Sequence, residues 1–103
     1  MLPGGQMEPV EIIDKVYGAG VDKNWITLHY GALDPLMAYE LRESIDNRGK
    51  VYQIRVASYS PRSGKAVPET DLSKTCSSLQ EAQAWIEGIT GDIHEARSFH
   101  RAC

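Results

Sequence analysis

The residues best suited to contact a ligand lie between Arg42 and Lys74. That stretch holds seven basic residues (Arg42, Arg48, Lys50, Arg55, Arg62, Lys65 and Lys74) against four acidic ones (Glu43, Asp46, Glu69 and Asp71), with Tyr52 and Tyr59 among them and Tyr39 just ahead. Cations neutralise phosphates and aromatic rings stack on bases, so this mixture is what direct nucleic-acid contact requires. Arg42, Arg48, Lys50, Arg55, Tyr59, Arg62 and Lys65 are the candidates for that role. An excess of three positive charges is nevertheless a weak field, and strands and turns also place Lys and Arg on their wet side for solubility and edge protection.

The rest of the chain has the opposite sign, with four basic and ten acidic residues. Glu8, Glu11 and Asp14 recur at helical spacing near the start, and Glu81, Glu87, Asp92 and Glu95 populate the C-terminal third. Carboxylates spaced this way would let the chain dock on a basic protein surface, such as the groove of a nucleic-acid-handling partner, where opposite charge speeds association. Solvated helix faces have the same composition.

The side chains that perform catalysis or bind metals are sparse and scattered. His94 and His100 are six residues apart, which is not one helix face, and His29 stands alone beside Trp25, so no metal site is expected. Cys76 and Cys103 belong to no CxxC or Cys/His pattern, and two free thiols are expected in a cytoplasmic protein. Cys76 precedes a helix start, where the helix-end dipole would lower a thiol pKa and favour a thiol-dependent enzyme; without a base placed beside it, a structural thiol is the simpler expectation. Ser60-Pro61-Arg62-Ser63-Gly64-Lys65 lacks the GxxxxGK[ST] spacing of a phosphate-binding loop and leads into a strand.

Length sets the scale on which these residues must be positioned. With 103 residues, 42% hydrophobic and 24% charged, the composition is that of one ordinary domain, which buries roughly two thirds of its unfolded surface and has no room for a large prosthetic group. No cofactor is expected. Residues 1–7 read as a disordered leader, 8–103 as a single domain, and no export signal or spanning run places the chain outside the cytoplasm.

The expected elements follow from periodicity. Pro9 to Tyr17 is a short amphipathic helix closed by Gly18. Residues 24–30 are a strand with Ile26, Leu28 and Tyr30 buried and Trp25, Thr27 and His29 on the other face. Residues 34–46 fit two patterns, a helix capped by Asp34 with Met37, Leu41 and Ile45 in a stripe, or a strand with Tyr39, Leu41 and Ile45 inward and Glu40, Arg42 and Ser44 outward. The hairpin-type loop Asp46-Asn47-Arg48-Gly49-Lys50 that leads into Tyr52, Ile54 and Val56 favours a strand over 38–45 paired with one over 51–59. A turn at Ser60–Lys65 precedes a strand over 66–75, confined to an edge or bulged by Pro68. A Ser78–Glu81 capping box opens a helix over 79–88 ending at Gly88, anchored by Trp85, and a last helix spans 92–100.

The expected architecture is α+β, an antiparallel sheet of three or four strands with the helices on one face. From Tyr39 to Gly88, hairpins followed by the capped helix SSLQEAQAWIEG, the order resembles small strand-plus-helix modules of phages and plasmids, including integrase arm-binding domains. That resemblance implies a sheet that enters a DNA groove, against which the net charge of −3 stands. The leading expectation is therefore a non-enzymatic binding or regulatory protein acting through a protein interface, an inhibitor of a nucleic-acid-handling complex in the mobile-element case. A nucleic-acid-binding sheet is the alternative, and an exposed edge strand would allow dimerisation.

Overall fold

A computed structural model describes residues 7–18, 23–45 and 49–102, with side chains described as far as His94. Helix α1 (Pro9–Tyr17) starts where Pro9 gives up an N–H the first turn does not use, and the Glu11 carboxylate accepts from Glu8 N–H at 3.2 Å. It stops at Gly18, whose φ of +91° is open to glycine and whose N–H bonds Asp14 O at 2.9 Å.

Strands β1 (Trp25–Asp34), β2 (Met37–Ser44) and β3 (Tyr52–Ser60) form an antiparallel meander. β4 (Lys65–Pro68) and β5 (Lys74–Cys76) then share the outer edge of β3, β4 beside its last residues and β5 beside its first. The ambiguous 34–46 stretch is strand. Asp34 and Pro35, which suited a helix start, instead make the tight β1–β2 turn, where Asp34 Oδ1 accepts from Leu36 N–H at 3.2 Å.

The α+β class and the antiparallel sheet are as expected, and four details differ. The first strand runs on from residue 30 to Asp34, since Gly31 lies flat beneath a tyrosine ring from β2 and needs no turn. Its bulge between Thr27 and His29 resets the alternation, so Tyr30 shares a face with Thr27 while Ile26 and Leu28 remain 52% and 43% exposed. The expected 66–75 strand is two strands with a turn between them. There Ser73 takes over the ladder, its hydroxyl accepting from Val56 N–H and donating to Glu69 O, each at 3.0 Å.

The fourth difference concerns the helices. Helix α2 (Leu79–Ala102) is continuous, without the expected break between 88 and 92. Ala82, Trp85, Ile86, Ile89 and Ile93 keep facing the sheet through that interval, and packing of this stripe outweighs the low helix propensity of Gly88 and Gly91. The two helices also take opposite faces rather than one. Alternation sends Leu41, Ile54 and Val56 towards α2 and sends Ala38 and Ala57 towards Ile12 and Ile13 of α1. Small residues at 38 and 57 let α1 lie close to the strands. Among the described residues, no helix is long and apolar enough to cross a membrane. The expected leader, apart from Met7, and Cys103 lie outside the described residues.

Candidate functional site

The α1 face of the sheet has two halves. α1 covers the Ala38–Ala57 end; the other end carries a polar lattice spanning β1, β2, β3 and β5. Its centre is Glu40, 2% exposed, directly across from Arg55. Arg55 Nε donates to Glu40 Oε1 at 2.8 Å, Arg55 Nη2 donates to the same oxygen, and the Thr27 hydroxyl donates to Oε2. Tyr17 closes the top: its ring centroid lies 4.3 Å from the Arg55 guanidinium, and its hydroxyl donates to Val56 O at 2.9 Å.

One step along β2, Arg42 is 7% exposed and faces Gln53, whose Oε1 accepts from Arg42 Nε at 3.2 Å and from Nη2 at 2.5 Å. The Trp25 ring lies over this guanidinium at 4.6 Å. Gln53 in turn pairs across to Thr75 on β5.

Sequence reasoning put Arg42 and Arg55 on one face of neighbouring strands, and they are there. The face is not the expected wet one. Both guanidiniums are enclosed by side chains from α1 and β1 and spend their donors internally, so they clamp the strands instead of offering charge to phosphate. The tyrosines do not join them as a stacking platform. Tyr39 and Tyr52 pack on the α2 side, where burial pushes the Tyr39 hydroxyl pKa up, and Tyr59 packs against α1 with Lys15 Nζ 5.9 Å from its ring.

The remaining cationic candidates are in loops. Lys50 is exposed and pairs with Glu43 at 2.8 Å, a contact that raises its pKa through a hydrogen bond and attraction to the same carboxylate. Arg62 and Lys65 are exposed in and after the β3–β4 turn, where Gly64 takes φ +69°. Arg48 lies outside the described residues.

The acidic candidates divide between the two faces of the molecule. Glu8 and Glu11 are exposed and Asp14 half-buried on α1; Glu81, Glu87 and Asp92 are exposed on α2, and the Glu95 side chain lies outside the described residues. Since the helices are on opposite sides, these form two patches. Cys76 is a free, buried thiol on the α2 side. Burial and the adjacent Glu81 carboxylate push its pKa up, with Lys74 opposing, which is the reverse of the helix-end activation considered from sequence.

Sequence reasoning missed a groove of about 480 Å³ where Trp25, Ile45 and Val51 meet Ser44 and Thr75. Trp25 and Thr75 are fifty positions apart in the chain, and only the strand register joins them. No family model, no curated protein and no solved structure matches this chain.

Proposed function

We propose that the protein is a non-enzymatic binding module that acts through a protein interface, with the exposed carboxylates of α2 as its contact with a basic partner. The observation that carries this is the unequal fate of the two charge sets. Arg42 and Arg55, the cations best placed to bind nucleic acid directly, are consumed by Gln53 and Glu40, whereas Glu81, Glu87 and Asp92 stay in water along one helix. Exposed carboxylates of this kind, spread around the wet side of α2, steer a basic surface towards them and reject acidic ones, phosphate backbones included. The basic surface of a nucleic-acid-handling protein is the partner class that fits.

The test is capture by the tagged protein from a native lysate, compared with a Glu81→Lys, Glu87→Lys, Asp92→Lys variant. Capture that falls with salt and disappears in the variant supports the reading. Saturable binding of the isolated protein to DNA or RNA at physiological salt, with capture unchanged in the variant, rejects it in favour of the loop cations Lys50, Arg62 and Lys65.

A further inference from the structure

The sheet has two unlike edges. One is divided between β4, which ends in Pro68, and the three-residue β5, and Pro68 has no N–H to offer another strand. The other is β1, ten residues long and, among the described residues, paired on one side only, with β2. Ile26 and Leu28 stand exposed on it. A long apolar edge is a template for another strand.

The hydrogen-bond ladder fixes which backbone groups face outward. Ile45 N–H bonds Asn24 O at 2.9 Å, so Asn24 and, two positions on, Ile26 turn their backbone groups to β2, leaving Trp25 and Thr27 turned away. Ser44 N–H bonds Val51 O at 2.8 Å, so the even-numbered residues of β2 face β3 and Leu41 and Tyr39 face β1. Their partners on β1 are His29 and Gly31. Past the bulge, then, Tyr30 and Ala32 are the outward residues.

These four positions are symmetric about the midpoint between Leu28 and His29: Trp25 and Ala32 are equidistant from it, as are Thr27 and Tyr30. A two-fold axis through that point, perpendicular to the strand, sets outward backbone against outward backbone at every one of them. The bulge, which elsewhere blunts an edge, is what brings the two halves of β1 into this phase. The same axis places Ile26 across from Gly31, over which the Tyr39 ring lies.

We propose that the protein dimerises by antiparallel pairing of β1 with β1 of a second copy in this register, joining two five-stranded sheets into one of ten strands. The contact is isologous and closes on itself, so it yields a dimer and not a filament. Backbone bonds and the Ile26 and Leu28 side chains, which the second copy would bury, supply affinity. The dimer does not depend on the α2 carboxylates having a partner.

Two measurements on the full chain test it. Sedimentation equilibrium across the micromolar range is expected to show a monomer–dimer equilibrium, weakened at least about tenfold by Ile26→Lys. In the unmodified protein, amide exchange at Trp25, Thr27, Tyr30 and Ala32 is expected to slow as concentration rises, while the amides of the β3–β4 turn do not respond. A monomer throughout that range, or a dimer whose formation leaves those four amides unchanged, overturns the proposal. Where a variant does not fold, the exchange result in the unmodified protein decides.

Discussion

The ring of Tyr39 lies over Gly31, its cross-strand partner on β1, so closely that a Cβ added at Gly31 would fall among the ring atoms Cε1 and Cζ. The neighbouring His29 ring is tilted against the same tyrosine at 5.8 Å. Glycine in a strand interior ordinarily weakens it; here the aromatic ring covers the exposed backbone and recovers the lost packing. Gly31→Ala is therefore expected to destabilise the protein by about 1–3 kcal/mol, the range for overpacking. In urea unfolding, Tyr39→Leu combined with Gly31→Ala should cost less than the sum of the two single changes. A Gly31→Ala midpoint equal to that of the unmodified protein would contradict this contact.

Glu40 and Arg55 make a second cross-strand prediction. With both Glu40 oxygens engaged, Glu40→Gln leaves the enclosed Arg55 guanidinium without its counter-charge, a loss of about 2 kcal/mol once the partial exposure of Arg55 is allowed for. Replacing both, Glu40→Met with Arg55→Leu, is expected to restore most of that stability, because two desolvated charges are removed together. Denaturant unfolding of the single and double variants reads this directly. A double variant that is less stable than Glu40→Gln would show that the ion pair contributes beyond its own compensation.

The hairpin register was legible because hydrophobic alternation and turn chemistry agreed: Tyr52, Ile54 and Val56 face α2 as their period of two requires, and Gly64 sits at the β3–β4 turn. What stayed hidden was tertiary. Glu40 and Arg42 alternate with Tyr39 and Leu41 like ordinary wet residues, and their burial comes from Tyr17 and Trp25, which no local pattern ties to them. The expectation of all helices on one face fails for the same reason, since Ala38 and Ala57 are small enough to read as either side of the sheet. Gly88 and Gly91 misled through propensity alone, while the Ile86, Ile89 and Ile93 stripe on the other side of the helix carried the true signal.

Those two glycines give a prediction of opposite sign. Both lie in the interior of α2, are exposed, and would place a Cβ in open space. Gly88→Ala and Gly91→Ala are each expected to stabilise the protein by about 0.5–1 kcal/mol, because alanine loses less backbone entropy on entering a helix. Thermal unfolding should show both midpoints rising and the double variant near their sum. A fall in either would mean that the backbone at that position serves a contact glycine alone permits.

Cys76 links stability to pH. Burial, reinforced by the Glu81 carboxylate, favours the protonated thiol in the folded chain and raises its pKa above the unfolded value of about 8.5, with Lys74 partly offsetting the shift. The folded state thus holds this proton more tightly than the unfolded state. Its stabilising contribution is complete below the unfolded pKa and is lost as pH rises from there towards the folded pKa. Urea unfolding at neutral pH and at about pH 9.5, above the unfolded thiol pKa, should show stability falling more in the unmodified protein than in Cys76→Ala. The same shift and burial should make Cys76 slow to alkylate in the folded state at pH 8 and fast once unfolded, as read by peptide mass spectrometry. Rapid alkylation of the folded protein, together with equal pH slopes for the two chains, would place a thiolate where the packing at β5 calls for a thiol.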